Sequence, residues 1–335
     1  MTVPSKALLL ATVFGVAAAS LIPFAWAQSL PEDPAAIFSL QGENASISTS
    51  KVTDRYYTNG IRIGWTSPTN SAPALAGIGR AVFGEGQQRV SVNISQQIFT
   101  PYDNFTGRPP LTDRPYAGVL LATVAQSVET VSSRSQLGFS LGMVGPSALG
   151  REVQNGFHNL ISQKENKGWG TQLKDEVAFG FTSSRVWRLQ TGMLGRLETE
   201  ALPSVALSVG TLRVGVDTGV NFRMGQMLQT DFGTPLIRAM SGGDAFRRSG
   251  GLGWYVFAGL GAAATARDVT LDGSTWRNNS RSVKAAPLVG LAQAGAAVTM
   301  FGARLTYTHV LETAEFKKQK GGAHQFGSLA LSVRF

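Results

Sequence analysis

The chain has 335 residues with no cysteine, 39 glycines and 30 basic against 21 acidic residues, a net charge of +9. Lacking cysteine, it is no disulfide scaffold and runs no thiol chemistry. With 43% hydrophobic and 9% aromatic residues it is too apolar for a disordered chain, and its glycines lack the strict collagen period. Glycine at about 12% and charge at 15% both depart from ordinary soluble domains, which carry about 7% and 25%.

Lys6 precedes a long apolar run that ends in the small-residue pattern Ala25-Trp26-Ala27. A charged start, a greasy middle and an A-x-A end predict a cleaved signal peptide over residues 1–27 and an exported chain from Gln28. Pro23 and the A-x-A pattern favour cleavage over a retained anchor. Without Lys6 there remain 29 basic and 21 acidic residues, +8. The basic residues are scattered singly (Arg62, Arg89, Arg108, Arg114, Arg134, Arg151), with no block or basic helix to track phosphates. Nucleic acid is therefore not an expected partner, whereas an anionic membrane surface is. A basic solvated surface explains the charge equally well.

Downstream, no apolar run approaches the ~20 residues of a spanning helix. The apolar residues alternate instead. In FSLQGENAS, Phe38, Leu40 and Gly42 share one face with Asn44; in TNGIRIGW, Ile61, Ile63 and Trp65 do the same. The rhythm continues through RVSVNISQQIF, AGVLLATVAQSV and SQLGFSLGMVG, then DEVAFGFTS, PSVALSVG, LRVGVDTGVNFRMG, GWYVFAGLGAAATARDV, APLVGLAQAGAAVTM and GARLTYTHV. It ends in HQFGSLALSVRF, with Leu329, Leu331, Val333 and Phe335 on one face. Two structures bury alternating strands: a soluble sandwich and a transmembrane barrel. Export, strands of 10 residues or more, opposite faces of glycine, serine, alanine and arginine, and a lipid-parity C-terminal phenylalanine favour the barrel.

The expected fold class is all-β: a transmembrane antiparallel β-barrel of about twelve strands filling residues 28–335, with both termini periplasmic. The stretches 67–87, 101–114, 145–170, 229–250 and 270–282 read as loops. One of them carries a short amphipathic helix: residues 147–163 place Leu149, Val153, Phe157, Leu160 and Ile161 at helical spacing, with Ser147 as N-cap.

On that helix Gln154 and His158 are four residues apart and share a face. A glutamine carbonyl can hold an imidazole in one tautomer, leaving the other nitrogen to take a proton from water. A lone histidine is equally at home packed on a surface with no catalytic role. The usual nucleophile motifs G-x-S-x-G and H-E-x-x-H and the phosphate-binding G-x-x-x-x-G-K-[ST] are missing, and Ser48-Thr49-Ser50-Lys51 matches S-x-x-K in a run where chance suffices. Hydrolysis here would need base-activated water.

The segments DRYYTNG (54–60), DRPYAG (113–118), Gly145-Pro146, VQNGFH (153–158), Gly168-Trp169 and Gln172-Leu173, in that order, resemble the outer-membrane lipid A 3′-O-deacylase family. The resemblance is strong over residues 38–176 and carried by barrel rhythm beyond. It implies a twelve-stranded barrel with its active site at the outer-leaflet end, between the wall and a loop helix, hydrolysing the 3′-linked acyl ester of lipid A. Under it, His158 matches the base that activates water and Gln154 its helix companion. Asn44 and Thr58 match catalytic polar positions at the ends of the first two strands, where substrate or calcium binds; Asn59, Lys164 and Arg151 are the expected substrate-binding residues. A bound cation would stabilise the oxyanion.

Two positions depart from the family pattern. Ala45 stands where the family follows its asparagine with aspartate, and Lys164 where it has an acidic residue six after the histidine. Calcium wants six to eight oxygens, several from carboxylates. Glu43 and Glu165 then become the candidate metal ligands, or Lys164 supplies the positive charge at the oxyanion, or the site is decayed. The alternative function is a passive outer-membrane barrel, a small pore biased by Arg62 and Arg334 or a structural protein. Lipid A and the outer membrane are the expected partners; its phosphates suit rim arginines such as Arg108, Arg114 or Arg151. Arg114 has a structural reading as well, a pair with Asp113.

Overall fold

The computed structural model describes residues 30–47, 55–237 and 242–335. The leader read over residues 1–27 and the Ser48-Thr49-Ser50-Lys51 tetrad lie outside the described residues, as does Asp54. The alternating segments become β1 (Ile37–Asn44), β2 (Tyr56–Thr66), β3 (Gln87–Thr100), β4 (Ala117–Glu129), β5 (Ser133–Val144), β6 (Glu176–Trp187) and β7 (Leu189–Leu194). They continue as β8 (Leu197–Gly210), β9 (Arg213–Gln226), β10 (Gly253–Asp268), β11 (Leu288–Met300), β12 (Ala303–Glu312) and β13 (His324–Arg334). β6 and β7 both pair with β8 and form one strand broken at Arg188. The sheet therefore closes as a twelve-stave antiparallel barrel, with β1 on β13 and β6 on β8.

The stagger follows from the pairing. From Gln190, cross-strand partners run through Glu200, Arg223, Phe257, Gly295, Thr308, Ser328, Glu43, Gly60, Gln97, Val119 and Val144. They return to the starting strand at Glu176, 14 residues from Gln190. Twelve strands with that stagger tilt roughly 40° from the barrel axis.

Alternation sorts the side chains as expected. Phe38, Leu40, Ile61, Ile63, Trp65, Ile94, Leu141, Leu329 and Leu331 are exposed on the outer wall, while Ser39, Gln41, Arg62, Ser91, Asn93, Thr123 and Ser328 are buried inside. A continuous belt of exposed large apolar side chains is a lipid-facing surface. Among the described residues no helix is long and apolar enough to cross a membrane; the strands do so.

In the segment between β9 and β10, read from sequence as a loop, the described residues fold into the lumen. Arg304 on β12 pairs with Asp231 at 2.7 Å and also with Asp244. Asp231 also pairs with Arg223, and the Ser332 hydroxyl donates to Asp244 at 2.7 Å. Arg62 donates to the carbonyls of Gly242 and Pro235, both at 3.2 Å, and Arg134 to that of Gly243 at 2.7 Å. Burial alone would raise the carboxyls of Asp231 and Asp244, but the guanidiniums beside them hold both below the usual carboxylate range. This plug occupies the lumen where a pore would run. The two arginines expected to bias conduction are structural: Arg62 holds the plug, and Arg334 pairs with Asp33 at 2.6 Å.

Among the described residues three α-helices interrupt the strands. α1 (Pro73–Phe83) lies within the 67–87 stretch read as loop: Pro73 opens it, an alanine-rich run sustains it, and Gly84 at φ 85° ends it. α2 spans Gly150–Leu160, shorter than the expected 147–163, because residues Pro146–Ala148 form a separate 3-10 turn and Leu149 sits in the left-handed region at φ 58°. Leu149 replaces Ser147 as N-cap; the Ser147 amide instead donates to Asp175 Oδ1 at 2.7 Å. α3 is a single turn, Val269–Asp272.

Candidate active site on the outer wall

α2 is positioned by its own loop. Gly145 adopts φ 108°, and a Cβ there would lie 2.7 Å from the Asp175 amide nitrogen, so only glycine allows the chain to leave β5 at this angle. The carbonyl of Ala148 then accepts from Gln96 Nε2 at 2.6 Å. Gly150 opens the helix against Gly118 of β4: a Cβ on Gly150 would fall 3.1 Å from the Gly118 Cα and 2.7 Å from the Trp169 indole. Gln96, Ile98 and Gly118 have the outward parity, so α2 lies on the lipid-facing side of β3 and β4, outside the lumen.

The helix is amphipathic, but inverted relative to one in a soluble protein. Its polar side chains Gln154, Asn155 and His158 are buried, whereas Phe157 and Leu160 are 52% and 80% exposed and Leu149 and Ile161 are also exposed. Of the apolar set Val153 packs on the buried cluster of Ile98, Tyr116 and Trp169. An apolar stripe turned outward at the end of a lipid-facing wall is placed for acyl chains.

The buried polar face is held by named bonds. Trp169, brought back by the 3-10 turn Lys167–Thr171, packs on the Tyr116 ring with centroids 4.8 Å apart and donates from Nε1 to Gln154 Oε1 at 2.9 Å. Asn155 clamps the returning segment, accepting from the Asn166 amide at 3.0 Å and donating to the Asn166 carbonyl at 3.3 Å. His158 Nδ1 lies 2.7 Å from the Lys164 carbonyl oxygen. A carbonyl only accepts, so Nδ1 carries the proton, and in the neutral ring Nε2 carries the lone pair that a general base needs. The backbone of Lys164 thus fixes the tautomer, the task the sequence assigned to Gln154, whose Oε1 ties the helix to Trp169.

Next to the helix the outer wall turns polar. Asn44 pairs across β1–β2 with Asn59, which pairs with Ile98, the residue beneath Val153. Two strand spacings of ~4.8 Å place Asn44 roughly 10 Å from helix-covered wall. The Asn44 carboxamide oxygen accepts from the Ser46 amide at 2.6 Å. A bulge sets Thr58: β2 slips between Tyr57 and Asn59 against Phe99 and Ile98, so Thr58 turns toward Thr100, with hydroxyl oxygens 2.8 Å apart. Asn44, Thr58 and Asn59 are therefore brought together at the outer-leaflet rim beside α2.

Other expected site residues fall elsewhere. Glu43 faces the lumen, on the opposite side of the wall from Asn44, where it accepts from the Tyr57 hydroxyl and the Ile237 amide, each at 2.7 Å. Alternation forces this separation: adjacent strand residues cannot share a face. Glu165 accepts from Asn159 Nδ2 at 2.9 Å on the exposed side of the loop, and Lys164 and Arg151 are exposed. Among the described residues no three histidine, aspartate or glutamate side chains cluster as a metal site. Among the described residues the donors at the rim are neutral amides and hydroxyls, which do not fit calcium's demand for several carboxylates. Arg114 is buried, bonding Glu315 at 2.7 Å and Thr270 at 3.1 Å, so its ion-pair partner is Glu315; Asp113 Oδ1 instead accepts from the Arg114 backbone amide at 2.9 Å. Burial removes Arg114 from the phosphate-binding candidates; Arg108 remains exposed.

Sequence reasoning about the site missed Trp169, Tyr116, Asn155 and Asn166 as its scaffold. The signal was present: a tyrosine and a tryptophan in the otherwise non-aromatic segments DRPYAG and NKGWGTQL.

The family model described as outer membrane protein LpxR matches residues 8–335. Among solved structures, LpxR from Salmonella typhimurium superposes with a TM-score of 0.73 at 19% identity, covering 89% of this chain and 100% of that one. The β-domain of the Bordetella autotransporter BrkA reaches a TM-score of 0.40 at 11% identity, covering 90% and 98%, too distant to bear on the fold. No curated protein matches the sequence.

Proposed function

The chain belongs to the outer membrane protein LpxR family, and from that premise we propose that it is an outer-membrane lipid A deacylase that hydrolyses the 3′-linked acyl ester. The observation that carries the reading is α2: an inverted helix on the lipid-facing wall that buries a histidine with Nδ1 bonded to a backbone carbonyl. A lumenal enzyme or a pore has no use for that arrangement. An enzyme whose ester lies at the boundary of headgroup and acyl chain does.

In the proposed reaction His158 Nε2 takes a proton from water as the oxygen attacks the ester carbonyl. The resulting oxyanion accepts hydrogen bonds from the rim amides of Asn44 and Asn59 and is drawn to the Lys164 ammonium. Collapse breaks the acyl carbon–oxygen bond, and the imidazolium gives its proton to the departing sugar alkoxide, which leaves as the hydroxyl beside the free fatty acid. Thr58 holds the rim in shape through Thr100. Exposed Arg151 and Arg108 meet lipid A phosphates at the outer surface. No step is routed through calcium. The leader over residues 1–27 is proposed to deliver the chain for export.

The rival reading, a catalytically inactive structural barrel, is favoured by Ala45 and Lys164, which replace the acidic positions of the family pattern. Mass spectrometry of lipid A from cells with and without the protein separates the two. Loss of one 3′-linked acyl chain only where the protein is made supports the enzyme; identical spectra support the inactive barrel.

A further inference from the structure

We propose that α1 is a membrane-seated helix whose partner is the phospholipid leaflet facing the periplasm, and that it sets the height at which the barrel carries α2 in the opposite leaflet. Its consequence for catalysis rests on the deacylase reading; the seating itself does not.

α1 is fastened to the outer wall by polar contacts. Gln126 Nε2 donates to the Leu75 carbonyl at 2.7 Å and Gln88 Nε2 to the Ala76 carbonyl at 3.1 Å, while Gly79 faces both glutamine amides. Gln88 and Gln126 have the outward parity of their strands, so the helix lies on the surface that the apolar belt occupies higher up. With its glycine and carbonyls toward the wall, Leu75 and Ile78 are left 37% and 50% exposed. Water is a poor partner for that face, and the wall beneath the helix carries lipid-facing Val92, Ile94 and Val124 on the same outward side of β3 and β4.

The spacing agrees. α1 and α2 sit on the same two strands at opposite ends. From Gln88 to Gln96 on β3, and from Gln126 to Gly118 on β4, is eight residues. At ~3.3 Å per residue and a tilt of roughly 40°, the attachment points are about 20 Å apart along the membrane normal. An outer-membrane apolar band is ~25 Å tall, so two helices of ordinary width bracket it. Trp65, exposed near the periplasmic end of β2, and Phe301 and Phe335, exposed at the periplasmic rim, mark the same boundary. The exposed ion pair of Arg80 with Glu85 at 3.0 Å closes the helix on the headgroup side.

The absence of cysteine makes the test clean. The full chain carrying I78C, or E85C as reference, is labelled with an environment-sensitive fluorophore and reconstituted into phosphatidylcholine vesicles containing nitroxide lipids of graded depth. The expected result is blue-shifted emission at position 78, quenched severalfold more by shallow acyl-chain nitroxides than at position 85. Emission at the aqueous wavelength with iodide quenching equal to E85C overturns the proposal. The height-setting half is read by an L160C label on α2. Its nitroxide depth is expected to shift when L75E/I78E, or the milder I78S, is introduced, with heat-modifiable migration unchanged. An unmoved L160C depth overturns that half. Neither readout involves hydrolysis, so failure of the deacylase reading leaves both intact.

Discussion

Replacing Trp169 with phenylalanine tests whether α2 must be docked for the chemistry to run. The indole donates to Gln154 Oε1 at 2.9 Å, and its substitution deprives a buried carboxamide of that donor. Such a loss costs about 1–3 kcal/mol. The smaller ring also weakens the contact with Tyr116, now at 4.8 Å between centroids, for roughly 0.5–1.5 kcal/mol more. Together the docked helix loses about 1.5–4.5 kcal/mol relative to an undocked one, shifting the ratio about 10- to 2000-fold. None of the barrel ladder passes through Trp169, so heat-modifiable gel migration should stay unchanged. The initial rate of fatty-acid release from lipid A in detergent, followed by mass spectrometry, should fall at least tenfold. Substituting exposed Trp276 the same way should leave the rate alone. A W169F rate within twofold of wild type would refute the claim that docking of α2 supports catalysis.

Three further expectations follow from the same structure. Because the rim donors do not fit calcium, a chelator should leave the deacylation rate unchanged within about twofold; abolition by chelation and rescue by calcium would show that other ligands assemble with substrate. Arg304→Ala leaves Asp231 and Asp244 short of their shared cation, a change that typically costs about 3–5 kcal/mol for a buried pair. It should lower the melting temperature and raise single-channel conductance in planar bilayers as the plug loosens; unchanged values of both would contradict the plug's assignment. The carboxyls of Asp231 and Asp244 are held below their unfolded value. Their stabilisation is present above the unfolded value and is lost as pH falls through the folded one. Denaturant midpoints should therefore hold from neutrality to about pH 4 and drop below it; a midpoint that falls between pH 7 and 5 points to other groups.

The barrel was legible because alternation is a local signal: Phe38, Leu40, Ile61, Ile63 and Trp65 announce an outward face with no knowledge of their neighbours. That parity also carried the placement of Asn44 outside and, by the same rule, of Glu43 inside, although the metal assignment set it aside. Thr58 was not legible in this way, since strict alternation turns it inward and a bulge at Tyr57 reverses it. The plug was hidden because its anchors lie far off in sequence: Arg304 is 73 residues from Asp231. The apolar period of residues 147–163 revealed a helix but not which face would be buried, because the environment, lipid rather than water, decides that. α1 escaped for a related reason: its alanine and glycine content gives a weak period, and only its seat on Gln88 and Gln126 shows what it does.

The central claim, that a base on the lipid-facing wall removes an acyl chain, is tested most directly by lipid A mass spectra from cells producing the wild-type chain or His158→Ala at equal, folded levels. General-base loss predicts a fall of about 10²- to 10⁴-fold, so the variant should leave lipid A fully acylated while the wild type removes one 3′-linked chain. A variant that trims lipid A as completely as the wild type would contradict the account.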